Sequence, residues 1–111
     1  MSDCLFCKIV AGEIPSDTVD EGENWIAFRD INPQAPTHIL IIPREHFSTV
    51  NEIDGKSAGV LIEAAKKIAA SEGLSEAGYR LVFNVQAGAG QTVFHVHLHL
   101  LGGRSLTWPP G

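Results

Sequence analysis

The stretch that decides the fold is His95-Val96-His97-Leu98-His99-Leu100-Leu101, close to the C-terminal end of the chain. Imidazoles alternate here with aliphatic side chains, and a spacing of two is the period of a β-strand. Residues two apart in a strand lie on the same face, about 6–7 Å from each other. We therefore expect the three imidazoles to line one face of a sheet while Val96, Leu98 and Leu100 pack into the core. Because imidazoles titrate near neutrality, such a face either holds a metal or performs acid–base and nucleophilic chemistry.

Length and composition predict a single globular domain spanning residues 1–111, with 44% hydrophobic and 19% charged residues. The net charge of −5 argues against binding to nucleic acid or to an anionic membrane surface. An apolar run such as Ile39 to Ile42 is much too short to cross a membrane. Met1 to Cys4 shows no basic segment followed by an apolar one, so we expect a cytoplasmic chain with reduced thiols.

Hydrophobic periodicity and turn residues predict an α+β fold. Apolar residues recur at helical spacing over residues 57–71, and Gly73 stands where a C-terminal cap belongs. A second, short helix is expected over residues 4–10. The predicted strands cover residues 18–21, 25–29, 37–43, 79–86 and 93–101. We expect these to form a five-stranded, mostly antiparallel sheet with the helices on one side.

The histidine strand leaves two mechanisms open. A catalytic zinc site often adds a carboxylate, and no Asp or Glu lies within ten residues of this run. A neutral imidazole, with a reference pKa of about 6.5, is a competent nucleophile at pH 7. His97 is the natural nucleophile, because the histidines on either side of it are placed to manage protons.

Two segments outside this strand have the composition of nucleotide contacts. Before it, Gly88 and Gly90 allow backbone amides to turn inward, and Gln91 and Thr92 add polar side chains that favour an anion. Earlier in the chain, the carboxylate of Asp30 suits the two hydroxyls of a ribose, and Ile31 suits an apolar slot for a base. The alternatives are a flexible hairpin turn for the first segment and a turn-starting Asp for the second.

Cys4-x-x-Cys7 has the spacing of half a zinc site. His46 and His95 are the candidates to complete a Cys₂His₂ tetrahedron. The alternative, equally compatible with the spacing, is a pair of small buried residues on a short helix. His38 and His46, at the two ends of the isoleucine-rich strand, also fit ordinary polar positions at strand ends.

Taken together, these residues resemble a known family over nearly the whole chain. The run His95 to Leu101 looks like the signature of the histidine triad (HIT) superfamily. The segment Asp30 to His38 and the ending Trp108-Pro109-Pro110-Gly111 are similar to the Hint branch, the histidine triad nucleotide-binding proteins. The resemblance implies a homodimer in which two subunits join their sheets into one ten-stranded sheet. It also implies hydrolysis of purine nucleoside 5′-phosphoramidates, such as AMP linked to an amine, and of acyl-adenylates.

The resemblance assigns catalytic roles by position. His97 would form a nucleotidyl-histidine intermediate, with the carbonyl of His95 holding its Nδ1 proton. His99 and His38 would flank the phosphate, and His99 would protonate the leaving amine. No cofactor is required for these steps. Several relatives bind structural zinc at positions that correspond here to Cys4, Cys7, His46 and His95.

The resemblance also assigns nucleotide contacts. The α-phosphate would lie against Asn84, Gly90, Gln91 and Thr92, where Thr92 replaces the serine of many relatives. Asp30 would bind the ribose hydroxyls, and Trp108 would reach the site of the partner subunit. The implied purine slot consists of Phe6, Ile9, Phe28 and Ile31. Two other functions stay open at this point: a metal-dependent phosphodiesterase that uses the histidine strand, and a purine nucleotide sensor whose hydrolysis is incidental.

Overall fold

A computed structural model describes residues 3–111, and Met1 and Ser2 lie outside the described residues. Five strands form one antiparallel sheet in the order β1-β2-β3-β5-β4. This confirms the predicted α+β class with one short and one long helix. The elements in chain order are α1 (Leu5–Val10), β1 (Thr18–Glu21), β2 (Trp25–Arg29), β3 (Thr37–Pro43), α2 (Gly55–Ser71), β4 (Tyr79–Val82), a 3₁₀ turn (Ala87–Ala89) and β5 (Leu98–Gly102).

The two faces of the sheet bury two different cores. On β3, Ile39 and Ile41 pack toward α2, in a cluster that also contains Leu98 and Leu100 of β5. The alternate residues of β3 pack toward α1, in a second cluster of Phe6, Ile26, Phe28, Leu40 and Ile42. Successive side chains of a strand point to opposite faces, so α1 and α2 cover opposite faces of the sheet. The expectation that both helices lie on one side is therefore wrong.

The long helix α2 begins two residues earlier than predicted, at Gly55. The reason is Asp54, whose carboxylate accepts a hydrogen bond from the Ser57 amide at 2.9 Å and caps the N-terminus. At the other end the predicted cap is confirmed. Gly73 adopts a φ of +77°, and the Leu74 amide donates to the Ala69 carbonyl at 2.8 Å, which closes the last turn. None of the helices within residues 3–111 has the length and apolar character needed to span a bilayer.

Two predicted strands are longer than the observed ones. The strand predicted over 79–86 ends at Val82, and the strand predicted over 93–101 begins only at Leu98. In the observed register Val96 would lie opposite Pro43, which has no N–H to donate, and residues 93–95 lie beyond the end of β3. The chain pairs with a loop instead, and the Val96 amide donates to the Phe47 carbonyl at 2.8 Å.

This shorter strand divides the three histidines. Only His99 lies in β5, while His95 and His97 precede it in irregular backbone. The rings of His97 and His99 remain neighbours, with centroids 5.0 Å apart. The ring of His95 turns instead toward Cys4, Cys7 and His46. The alternation itself holds, because Val96, Leu98 and Leu100 join the cluster on the α2 side while Phe6 of α1 contacts both His95 and His97. What differs from the prediction is that the three imidazoles serve two different sites.

Candidate active site and metal site

Two of the histidines form a hydrogen-bonded pair whose direction the backbone decides. The Gln34 amide donates to Nδ1 of His38 at 3.0 Å, so this nitrogen carries no proton. Burial lowers the pKa of His38, partly offset by the charge of Asp30, and the neutral ring therefore has its proton on Nε2. That Nε2–H donates to Nδ1 of His99 at 2.9 Å. The pair thus points its protons away from Gln34.

His99 is the last member of this series of hydrogen bonds, and its remaining N–H donor is unused. Since its Nδ1 accepts from His38, the neutral ring of His99 carries its proton on Nε2. Within residues 3–111, this Nε2 is buried and has no hydrogen-bond partner. Burial and the nearby His97 and His38 lower the pKa of His99 to about 4, so the ring is neutral at pH 7. A buried, unpaired N–H donor is costly, and its presence here indicates that a ligand completes the site.

His97 has the tautomer that a nucleophile needs. Its Nδ1–H donates to the backbone carbonyl of His95 at 2.8 Å, which leaves the lone pair of Nε2 free. The residue is almost completely buried, and burial lowers its pKa, opposed by the hydrogen bond to His95. The ring is therefore neutral at pH 7. A neutral imidazole with a fixed proton on one nitrogen is prepared for attack through the other.

His97 and His99 open onto a cavity of about 430 Å³, a size typical of small-molecule sites. One wall is aromatic, because Phe6 of α1 meets Phe28 of β2 edge to face at 5.4 Å. Eight of the predicted site residues line it: Phe6, Ile9, Phe28, Asp30, Ile31, Thr92, His97 and His99.

Asp30 forms a turn and also lines the cavity. One carboxylate oxygen accepts from the Asn32 amide at 2.8 Å and so forms the turn that the plain alternative predicted. The other lies 3.4 Å from Nε2 of His38. The same residue lines the cavity beside Ile31, whose side chain is fully exposed at the rim. A carboxylate at this position can still accept hydrogen bonds from a sugar.

Five predicted site residues do not line this cavity: His38, Asn84, Gly90, Gln91 and Trp108. His38 is buried against His99 and reaches the cavity only through it. Trp108 is 82% exposed in the single chain. Gln91 is buried, and its side-chain amide donates to the carbonyls of Ser48 and Val93, at 2.8 and 3.1 Å. The side chain of Gln91 therefore braces the loop and has no donor left for a phosphate.

Sequence reasoning missed half of the cavity wall. The largest missed piece is the link between α1 and β1, residues 14–17, which crosses the aromatic end. It contains no motif, and only its position next to Phe6 in space reveals it. The missed lining residues are Leu5, Ile14, Pro15, Ser16, Asp17, Arg29, Leu40 and Val93.

The four predicted metal ligands come together at the start of α1. Their ligating atoms all lie within 4.8 Å of one another, and we call Cys4, Cys7, His46 and His95 the Cys/His cluster. Nδ1 of His95 lies 3.4 Å from Sγ of Cys4 and 3.2 Å from Nδ1 of His46. Sγ of Cys7 lies 3.2 Å from Nδ1 of His46. A tetrahedral zinc ion with its usual bond lengths separates such ligand atoms by about 3.3–3.8 Å.

The ring of His95 is also turned correctly for a metal. Its Nε2–H donates to the Pro43 carbonyl at 2.8 Å, so the neutral ring presents the bare lone pair of Nδ1 to the Cys/His cluster. A hydrogen bond of this kind from the second ring nitrogen is the usual support of a histidine ligand. The residues present therefore fit a structural zinc ion, which when bound would cross-link α1 to the sheet.

The fold and these two sites are shared with a known protein family. Residues 11–106 match the family model described as "HIT domain", and the chain belongs to this family. A purine nucleoside phosphoramidase of Escherichia coli is 51% identical over 92% of this chain and 88% of its own length. A 14 kDa zinc-binding protein of Zea mays is 50% identical over 99% of this chain and 89% of its own length. The crystal structure of a HIT family hydrolase from Legionella pneumophila, 59% identical, superimposes with a TM-score of 0.93 over 97% of this chain and 99% of its own.

Proposed function

We propose that this protein hydrolyses purine nucleoside 5′-phosphoramidates, releasing an amine and a nucleoside 5′-monophosphate, and that it also accepts acyl-adenylates. The protein is an enzyme of the HIT family, a nucleotide hydrolase, and the name of its E. coli relative supports the phosphoramidate substrate. One observation carries the proposal further. His97 is held with its Nε2 lone pair free, next to the unpaired donor of His99, on a nucleotide-sized cavity.

In the first step, Nε2 of His97 attacks phosphorus and the P–N bond of the substrate breaks. The imidazole ring gains a positive charge as the new N–P bond forms. The Nδ1–H of His97 keeps its hydrogen bond to the His95 carbonyl, which stabilises this charge. In the second step, water attacks phosphorus, the N–P bond breaks, and the neutral ring of His97 is restored.

His99 supplies the proton that the leaving amine requires. In the ligand-free protein its pKa is about 4, too low for a charged acid at pH 7. An anionic phosphoryl group placed beside its Nε2 favours the protonated ring and raises this pKa. The substrate therefore creates the acid that it needs. His99 then passes its proton to the amine and recovers one from the attacking water in the second step.

The remaining contacts follow the geometry of the cavity. The base would lie between the aromatic wall and Ile9, and the ribose hydroxyls would reach the carboxylate of Asp30. The phosphate would lie near the hydroxyl of Thr92 and the backbone of Gly90. We assign Gln91 to supporting this loop, since its side-chain donors are already used, and Asn84 to positioning the phosphate.

We further propose that the Cys/His cluster binds a structural zinc ion and that zinc takes no part in the chemistry. The interatomic distances and the name of the maize relative support zinc binding. Within the Asp–His group, defined as Asp30, His38 and His99, ring protons point inward and disfavour a catalytic metal. This argument favours covalent catalysis over the metal-dependent phosphodiesterase.

We also propose that residues 1–111 form a single HIT domain that acts as a cytoplasmic homodimer. Strand β4 lies at one edge of the sheet, where a second β4 can pair with it and extend the sheet to ten strands. Cys4 and Cys7 form no disulfide, which suits a reducing compartment. Trp108, exposed in the single chain, would then reach the cavity of the partner. Light scattering coupled to size-exclusion chromatography tests the dimer directly.

The decisive experiment is intact-protein mass spectrometry after mixing with an adenosine phosphoramidate and quenching within milliseconds. We expect a transient gain of one adenylyl group that disappears on longer incubation, with or without a chelator. His97→Asn should show no adduct and should lose turnover about 10⁴-fold or more while it still binds AMP. Turnover without an adduct, abolished by the chelator, would move the mechanism to a catalytic metal.

A further inference from the structure

One residue joins the two sites. The side chain of His95 belongs to the Cys/His cluster, while its backbone carbonyl accepts the Nδ1–H of His97 at 2.8 Å. His95 is completely buried, and its Nε2–H is tied to the Pro43 carbonyl. Burial and this hydrogen bond restrict the torsions of the ring, so a displacement of the ring also displaces the backbone of His95. A force on the ring of His95 is transmitted to the acceptor that fixes the tautomer of His97.

A second connection runs through α1. Cys4 and Cys7 lie at the start of this helix, and Phe6 lies between them. The ring of Phe6 meets the ring of His97 edge to face at 5.1 Å and forms part of the cavity wall. A helix of six residues is far too short to be stable by itself, so its position depends on what holds it. The cysteine ligands are one such attachment.

We infer that His95 is a positioning residue, through which the state of the Cys/His cluster controls the orientation of His97. The same cluster, through α1, controls how well the cavity wall fits a nucleotide. Zinc in the cluster therefore takes no direct part in the chemistry, yet it affects both nucleotide binding and turnover. The inference rests on the proposed function for its effect on turnover. Its effects on the ring of His97 and on nucleotide affinity do not depend on any particular substrate.

The two connections predict two separable effects when the cluster is empty. Loosening the bond from His97 Nδ1 to the His95 carbonyl allows the other neutral tautomer, which blocks Nε2 and lowers kcat by roughly fivefold, the effect of losing one hydrogen bond. Loosening α1 moves Phe6 and weakens AMP binding by a few fold, since aromatic contacts are of that strength. A purely local metal site predicts neither effect.

The experiment uses variants of His46, the ligand that lies outside α1 and does not contact His97. His46→Gln removes a ligand, whereas His46→Cys keeps four ligands in a Cys₃His set that zinc also accepts. Lys8→Ser, on the same helix as the cysteines, is the control for a change in α1 without loss of a ligand. For each protein we would record histidine ¹⁵N ring shifts, the Kd for AMP, and kcat and KM with an adenosine phosphoramidate.

We expect His46→Gln and chelated wild type to show mixed tautomers of His97, weaker AMP binding and a lower kcat. His46→Cys loaded with zinc should restore all three, and Lys8→Ser should behave like wild type. Unchanged His97 shifts and AMP affinity in the metal-free protein would overturn the inference. If no protein turns over any phosphoramidate, the proposed function fails, while the ring shifts and AMP affinity still test the inference.

A further comparison covers the case in which the metal-free protein does not fold. Wild type loaded with Cd²⁺ instead of Zn²⁺ keeps a filled cluster around a larger ion. The ring shifts of His97 should then differ between the two metal forms, while those of His38 should not. Identical His97 shifts in the two folded proteins would overturn the inference.

Discussion

The Cys/His cluster and the Asp–His group look alike as sets of ligands and differ in the direction of their protons. Each brings three or more potential ligand atoms within 4.8 Å of one another. In the Cys/His cluster, the Pro43 carbonyl accepts a hydrogen bond from the Nε2–H of His95, so the lone pair on Nδ1 faces the other ligands. In the Asp–His group, the Gln34 amide occupies the lone pair of His38 and sends its proton inward. One backbone group at each site therefore fixes the histidine tautomer, and the tautomer decides whether the site can bind a metal or transfer a proton.

The largest effect is expected when His99, the last residue in the series of proton donors, is replaced. His99→Gln keeps a hydrogen-bond donor but cannot transfer a proton, so kcat for a phosphoramidate should fall about 10²–10⁴-fold. An acyl-adenylate has a carboxylate leaving group that needs no proton. The loss on that substrate should therefore be much smaller. Steady-state kinetics on the two substrates measures the ratio, and equal losses on both would contradict the role of His99 as an acid.

The second test removes a ligand from the Cys/His cluster. Cys7→Ser should weaken zinc binding more than about 100-fold, because even the outer partners of metal ligands are worth 10–100-fold. His99→Gln should bind zinc as tightly as wild type. Competition with a chromophoric chelator gives both affinities. If His99→Gln loses zinc and Cys7→Ser retains it, the assignment of the metal to the Cys/His cluster is wrong.

These two sites also show what the sequence could and could not predict. The turn residue Gly22 and the isoleucine-rich composition of residues 37–43 predicted β1, β2 and β3 with their observed bounds, because both signals are local in the sequence. The Cys-x-x-Cys spacing and the distant His46 and His95 were brought together as expected. The resemblance implied the direction of the His97 proton, toward the His95 carbonyl, and the structure has that hydrogen bond. The proton directions of His38 and His95 were not predicted, since they are decided by Gln34 and Pro43, backbone groups far from the motif.

The failures have the same origin. The alternation at His95 to Leu101 predicted one strand, yet a strand needs a partner along its whole length, and β3 stops at Pro43. In the observed register His95 would lie opposite Arg44, one residue beyond the end of β3. Its ring joins the Cys/His cluster, while His97 and His99 stay together at the cavity. Residues 14–17 of the cavity wall carry no pattern of their own, and only the packing of α1 over the sheet makes them part of the site.

The third test concerns stability against pH. The pKa of His99 is about 4 in the folded protein and about 6.5 when unfolded, so the unfolded state binds more protons between these values. The stability linked to His99 is therefore complete above pH 6.5 and is lost as the pH falls toward 4. Each unit of difference corresponds to about 1.4 kcal/mol, and partial exposure reduces the total to on the order of 2 kcal/mol.

Comparison with His99→Gln isolates this contribution. Urea unfolding of both proteins at pH 7, 6, 5 and 4.5 gives the free energy of unfolding for each, and groups common to both cancel. Wild type should lose more stability than the variant as the pH falls, by the amount given above. Parallel curves for the two proteins would show that His99 is not the buried neutral base described here.

The smallest and sharpest test concerns the Gln34 amide. Gln34→Pro removes the N–H that occupies Nδ1 of His38, whereas Gln34→Ala removes only the side chain and keeps that N–H. Within residues 3–111, the side chain itself bonds only to the Asn32 carbonyl in the same loop. Without the amide, the proton of His38 can move to Nδ1, and the ring then no longer directs a proton toward His99.

We expect Gln34→Pro to lower kcat about fivefold, the worth of roughly 1 kcal/mol for one hydrogen bond. Its ¹⁵N ring shifts should show both tautomers of His38, while Gln34→Ala matches wild type in both measurements. Zinc affinity should be the same in all three proteins, because the Gln34 amide contacts His38 of the Asp–His group and is not part of the Cys/His cluster. An equal loss of kcat in both variants, with the His38 tautomer unchanged, would assign the effect to the loop that carries Asp30. The backbone amide would then no longer explain why this group of histidines handles protons while the other fits a metal.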